Sequence, residues 1–383
     1  MRQEENEAKL KQLVSVQLPE NRNQWALEWK RQGKKVMGIL DTTFPEEIFY
    51  AAGMLPYHII GTYKASTPYA DAWRPTNICR YCHHVLESLL SGELDFLDGI
   101  VHTSWDDDQR RLYDIALHNK KPAFNYIIHV PRARWDLNYE WYTRRLRDLI
   151  FHLETTFTVR TSNDSLREAI ELHDRMRKLL RQLYEWRKRE VPPVSGAEAL
   201  GIVMAAFFMP KELFVAELES LMDYLEQRKT TLEKLHPRLL VSSSHMHLMD
   251  YLDLVEGEGA LIAMDDIDSG SGYVWDSIED GGAASNPLYA LAKRQVNNMV
   301  ATPKWFWHEH VDQVIEWIKE YKIDGVLQLP HLGDATRLCV TPTLLERLKE
   351  SDIPAMSFTR EYHVANVGQL KTRVSAFLET VKR

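Results

Sequence analysis

Lys35-Val36-Met37-Gly38-Ile39-Leu40-Asp41-Thr42-Thr43-Phe44-Pro45-Glu46-Glu47-Ile48-Phe49-Tyr50-Ala51-Ala52-Gly53-Met54-Leu55-Pro56-Tyr57-His58-Ile59-Ile60 reads as strand, helix, strand. The apolar run Lys35–Leu40 follows Gly33 and is long enough for a strand but too short for a helix. Thr43 stands as an N-cap, and Pro45 lacks the N–H that has no partner in a first helical turn. Glu46 and Glu47 complement the helix dipole there. Gly53 ends the helix, and Leu55–Ile60 is the next strand. A unit of this kind implies parallel strands.

The alternation continues outward from this stretch. A helix is expected near Val85–Leu90, a strand at Gly99–His102, a helix at Gln109–His118 and a strand at Pro122–Ile128, closed by Pro131. From Arg134 to His236 long helical runs take over, at Tyr142–Phe157, Leu166–Glu190 and Lys211–Leu235, with Pro192-Pro193 as a break. Strands and helices alternate again from Arg238–Ser244 onward, with helices at Pro342–Glu350 and Val367–Val381. The expected fold class is α/β, with two doubly wound parallel-sheet (Rossmann/flavodoxin-like) domains joined by a helical segment. The expected division is an N-terminal helical segment at 1–32, α/β domains at 33–133 and 237–383, and a helical bridging domain at 134–236.

The 383 residues carry 44% hydrophobic and 27% charged side chains and a net charge of −8, an ordinary composition for a chain with more than one core. Basic residues are scattered, which argues against a nucleic-acid backbone as the main ligand. The densest basic stretch, Arg175–Arg189, is interleaved with Leu179, Leu180, Leu183 and Trp186 at helical spacing and reads as a solvated helix face. No apolar run is long enough to span a membrane. The polar stretch Met1–Glu20 is unlike a secretion signal, so the expected compartment is cytoplasmic. Three cysteines make no disulfide framework and suit a reducing environment.

Doubly wound sheets hold ligands beyond the carboxyl ends of their strands. Asp41–Glu47 and Thr103–Asp108 stand at such ends. Glu46, Glu47 and Asp106 are the candidate catalytic groups, because a carboxyl desolvated in that crevice can act as acid or base. Helix capping accounts for the same residues without chemistry. Thr42 and Thr43 are candidate cofactor contacts beside them. The run Asp265-Asp266-Ile267-Asp268-Ser269-Gly270-Ser271-Gly272 also follows a strand. Ser269 and Gly270 are candidate cofactor contacts through backbone donors, although the neighbouring carboxylates oppose an anion. The whole of 265–287 is long for a connector and is a candidate lid or cofactor loop. Cys79-x-x-Cys82, with His83, His84 and the distant Cys339, contains soft ligands for zinc or an iron–sulfur cluster. A second CxxC is missing, and buried cysteines beside surface histidines on one helix are the competing reading.

Several of these blocks occur together in one known family. From about Trp25 to the C-terminus the chain resembles the 2-hydroxyacyl-CoA dehydratase and benzoyl-CoA reductase family (2-hydroxyglutaryl-CoA dehydratase D-component type subunit). The resemblance is carried by Phe44-Pro45-Glu46-Glu47 through Leu55-Pro56, by Ile78-Cys79-Arg80, and by Leu94-Asp95-Phe96-Leu97-Asp98-Gly99. Ser104-Trp105-Asp106, Asp265-Asp266 with Gly270, Asp324-Gly325-Val326 and Arg373 to Glu379 add to it. It implies a subunit paired with a homologous sister subunit in a heterodimer, acting on an acyl-CoA thioester by one-electron chemistry at [4Fe-4S] clusters. An ATP-dependent iron–sulfur activator would supply the electron, since reducing a thioester carbonyl or an aromatic ring is steeply uphill.

Family members that hold a cluster use three cysteines, in the regions of Cys79, Trp105 and Gly333. Here Trp105 and Gly333 are not cysteine, and Gly272 stands where related sequences often carry Arg. Cys79 is therefore the candidate metal ligand. The expectation is that this chain holds no standard cluster and that its sister subunit does. The function implied is a subunit of a 2-hydroxyacyl-CoA dehydratase or benzoyl-CoA reductase-like complex. A non-redox acid–base homologue and a non-catalytic scaffold subunit are the alternatives.

Overall fold

The computed structural model describes residues 2–104, 106–232, 235–275, 278, 285–298 and 307–381. Its strands form two four-stranded sheets, parallel throughout. In the first, β1 (Val36–Ile39), β2 (Leu55–His58), β3 (Gly99–Thr103) and β4 (Phe124–Ile128) lie in the order β2-β1-β3-β4. In the second, β5 (Arg238–Ser243), β6 (Leu261–Ile267), β7 (Gly325–Gln328) and β8 (Ala355–Ser357) lie in the order β6-β5-β7-β8, so one topology occurs twice. Each chain path reverses direction across its first strand. The crevices of a doubly wound sheet open at that switch, here between β1 and β3 and between β5 and β7.

The inner strands are buried without alternation because helices cover both faces. β1, β2, β3, β5, β6 and β7 are buried along their whole length, whereas the edge strands β4 and β8 are partly open. Successive side chains of β1 serve different cores. Val36 and Leu40 join the large cluster that runs on into the second sheet, while Met37 and Ile39 pack with Tyr142, Leu146 and Leu149 of the helix Asp136–Phe157. Among the described residues no helix is long and apolar enough to cross a membrane.

Three local expectations are corrected. The helix after β1 begins at Glu47 rather than beside Thr43, whose N–H and hydroxyl both donate to Asp41 Oδ1, at 3.0 and 2.6 Å. The Asp41 carboxylate two residues upstream thus engages Thr43, and Glu46 stands at the N-cap position instead. The helix expected from Pro342 starts at Ala335, capped by Asp334, which accepts the Arg337 N–H at 3.0 Å, and runs through the proline. The basic stretch Arg175–Arg189 is not all solvated: Arg177 and Arg187 point inward and pair with Glu47 and Asp265.

Candidate functional site

The carboxyl ends of the two sheets face one another across a cavity of about 230 Å³. From the first sheet, Asp41 fastens the two loops at the switch point. Its second oxygen accepts the Thr103 N–H at 2.8 Å, and His102 Nδ1 lies 3.5 Å away. Burial alone would raise this carboxyl; the His102 ring and the hydrogen bonds from Thr103 and Thr43 outweigh it and hold it below the usual range. Past the end of β3, Asp106 caps the helix Asp107–Lys120 by accepting the Gln109 N–H at 2.7 Å. Burial raises Asp106 to about 6, against the Gln109 bond and helped by the charge of Cys79.

Cys79 sits at the N-cap of the helix Arg80–Leu90, where its sulfur accepts the Cys82 N–H at 3.5 Å. The Arg80 N–H donates to Leu332 O at 3.0 Å, which seats this helix start on the loop after β7. Cys79 Sγ then lies 3.1 Å from His331 Nε2, and the other ring nitrogen of His331 lies 2.8 Å from Ser244 Oγ, past the end of β5. Ser244 also donates to Asp334. Burial opposes the charged forms of Cys79 and His331 alike. The Cys82 hydrogen bond and the His331 charge nonetheless hold the Cys79 thiol well below its ordinary value, and Asp334 and Cys79 raise His331.

The profile of the family described as 2-hydroxyglutaryl-CoA dehydratase, D-component matches residues 41–381. The chain belongs to that family. Among its relatives is the (R)-2-hydroxyglutaryl-CoA dehydratase subunit beta of Acidaminococcus fermentans, 25% identical over 92% of this chain and 94% of the relative. A benzoyl-CoA reductase subunit from Thauera aromatica is 25% identical over 93% and 94% respectively. The (R)-phenyllactyl-CoA dehydratase beta subunit of Clostridium sporogenes is 24% identical over 94% and 96%.

Against this D-component background, the cavity gathers some of the residues singled out by sequence and leaves others aside. Thr42, Thr43, Asp106 and Cys79 line it. Glu46 and Glu47 do not; both are fully buried in ion pairs. Glu46 faces Lys211 Nζ at 3.0 Å and His58 Nε2 at 3.2 Å and accepts from Tyr273, while Glu47 pairs with Arg177 and Arg294. Ser269 and Gly270 lie outside the lining too. The Ser269 hydroxyl donates to Met246 O at 2.5 Å and the Gly270 N–H to Ile267 O at 3.0 Å, whereas Gly272 lines the cavity. His83 and His84 are buried rather than surface histidines. Trp105, and residues 276, 277 and 279–284 of the candidate lid, lie outside the described residues.

The residues present do not fit a three-thiolate cluster. Cys79 is the cavity's thiol, Cys82 is buried behind it, and Cys339 is exposed on the helix Ala335–Glu350. Gly333 has φ +78°, and a Cβ there would lie 2.5 Å from Cys79 N and Ile78 C, so this backbone has no room for a third ligand side chain.

Sequence reasoning missed Ser244, His245, His331 and Arg337. A signal was available: the strand-end rule that selected Asp41 and Asp106 in the first sheet selects Ser244 and His331 in the second.

The buried acids set an expected pH profile. Burial pushes Glu46, Glu47, Asp41 and Asp266 up, but their cationic and hydrogen-bonding neighbours leave all four below ordinary values. Their contribution to stability is complete above about pH 4 and is lost as pH falls below it. Burial raises Asp268 and Glu256 to about 7. A raised acid binds its proton more tightly when folded, so with Asp106 these groups remove stability as pH rises from about 4 to about 7. Burial also holds the imidazoles of His84, His173, His245 and His247 below their ordinary range, and these groups add stability as pH rises over the same window, offsetting the raised acids. The steep loss is therefore expected below about pH 4, where the four paired acids begin to protonate; a urea midpoint that does not fall between about pH 4 and about pH 3 refutes the assignment.

Proposed function

We propose that this chain is a subunit of a multi-subunit enzyme acting on an acyl-CoA thioester, by dehydration or aromatic-ring reduction, and that the cavity between the sheets receives the acyl end. The observation that carries this is the meeting of two switch-point crevices in one cavity lined by a thiol, two imidazoles and several carboxyls. Family membership supports the substrate class: each of the three relatives is a subunit of an enzyme named for a CoA thioester. The iron–sulfur centre belongs to a homologous sister subunit in this reading, reduced by an ATP-dependent activator, while the present chain shapes the pocket. The compartment is cytoplasmic.

A second reading, acid–base chemistry without electron transfer, is favoured by Asp106. Its carboxyl lines the cavity and, at about 6, exchanges a proton near neutral pH. Glu46 and Glu47 would then hold the scaffold around the site rather than act in it.

The test is anoxic co-expression with the sister subunit, followed by iron and sulfide determination on each separated chain. This chain is expected to carry no stoichiometric iron. About four iron per copy, the content of one [4Fe-4S] cluster, would overturn the assignment of the redox centre to the partner.

A further inference from the structure

Three side chains that no local pattern links come together on the cavity wall. Cys79 and His331 are 252 residues apart in sequence, yet their sulfur and Nε2 are 3.1 Å apart. On the far side of the ring, Nδ1 faces Ser244 Oγ at 2.8 Å and Asp334 Oδ2 at 3.4 Å. Ser244 bridges the two by donating to the same carboxylate. A thiol, a base on one of its sides, and a carboxylate holding the base from behind is the order that activates a nucleophile in unrelated hydrolases and transferases. The Cys82 N–H bond to the Cys79 sulfur places it at the positive end of an 11-residue helix, which favours a thiolate.

A second observation is independent of the thiol. Gln109 Oε1 and His245 Nδ1 belong to cavity-lining residues that are only 6% and 8% exposed, and neither atom has a hydrogen-bond partner among the described residues. Buried polar atoms without partners are costly, and here they stand in the cavity that the thiol enters. They suit a polar ligand such as the carbonyl or hydroxyl groups of an acyl chain.

The geometry points to Cys79 as a nucleophile that accepts the acyl group of a thioester, forming a covalent acyl-cysteine in the cavity. The inference rests on the acyl-thioester reading for its substrate class but needs no electron. Cys79 Sγ, its proton held on His331, attacks the carbonyl carbon. The tetrahedral adduct collapses by breaking the bond to the leaving thiol sulfur, which takes the proton back from His331. One thioester bond is broken and one formed, so the step is reversible and balanced without oxidant or reductant. Ser244 and Asp334 are positioning residues that hold the imidazole in line.

The experiment mixes the chain, in complex with its sister subunit and kept reduced, with butyryl-CoA and separately with benzoyl-CoA, then quenches in acid for mass spectrometry. The expected result is acyl mass on the Cys79 peptide, labile to hydroxylamine, with an equal amount of free CoA. Cys79→Ser should abolish the adduct while calorimetry still detects probe binding. His331→Asn should slow acylation by about 10²–10⁴-fold. Asp334→Asn keeps an acceptor for the Arg337 N–H, so a lower acylation rate at unchanged probe affinity, restored in part by Asp334→Glu, separates positioning from helix capping. Cys339→Ser should change nothing. Binding without acylation of Cys79, or an adduct that persists in Cys79→Ser, overturns the inference and leaves the proposed function standing. No binding of either probe overturns both.

Discussion

Asp265→Ala is expected to destabilise the protein by about 3–5 kcal/mol, the cost of removing one partner from a buried ion pair. Asp265 ends a hydrogen-bonded knot between the second sheet and the helix Asn163–Trp186. It accepts from Arg187 Nη1 at 2.9 Å, from Tyr184 OH at 2.8 Å and from the Ser271 N–H at 2.9 Å. Arg187 is fully buried, with Ile262 O, at 3.1 Å, as a further acceptor for its guanidinium. Truncating the acid leaves a cation that can neither lose its charge nor reach water. The double variant Arg187→Met with Asp265→Ala should recover part of the loss, because it removes the stranded charge as well. Urea unfolding of the three proteins checks this. A single-variant loss under about 1 kcal/mol would class the pair with solvated surface ion pairs and refute the argument.

Restoring cysteine at the two replaced cluster positions should fail to restore a cluster. Gly333→Ala alone is expected to cost about 2–4 kcal/mol, combining a left-handed backbone that β-carbons resist with overpacking against a neighbouring chain segment. The obstacle is backbone: Cys79 N and Ile78 C at 2.5 Å and Cys79 Cα at 2.8 Å, none of which can swing away as a side-chain end can. The helix start at Cys79 must shift for any side chain at Gly333, and that shift also breaks the 3.1 Å contact with His331. Trp105→Cys/Gly333→Cys, reconstituted anoxically with iron and sulfide, should therefore show no charge-transfer absorption and a lowered melting temperature. A stoichiometric cluster in the double variant would show that the loop accommodates the missing ligands without strain.

Much of the fold was legible because a parallel sheet covered on both faces needs apolar runs, and the strands Val36–Ile39, Gly99–Thr103 and Gly325–Gln328 each begin with one. The helix Gly196–Ala205 was missed for the complementary reason: it is buried all around, so no polar face marks its period. In the site, Asp106, Thr42 and Thr43 follow from strand-end placement, and Cys79 from the family resemblance. Glu46 and Glu47 were misleading neighbours of that position. Their cationic partners Lys211, Arg177 and Arg294 come from helices more than a hundred residues away, as the 130- and 247-residue separations of the Glu47 pairs illustrate, and a linear pattern does not reveal such pairing. Strand-end placement marks His331 as a site residue, but its partner Cys79, 252 residues away, is visible only in three dimensions.

The repeated strand order of the two sheets has a mechanical corollary. One half of the molecule carries the sulfur and the other carries the ring that faces it, so the pair exists only while the halves are shut against each other. Any hinge that swung one half away would part the two atoms and open the apolar cluster that the two sheets share. The reactivity of this thiol is therefore a gauge of closure, readable in solution by how fast a small alkylating reagent consumes it with and without an occupant.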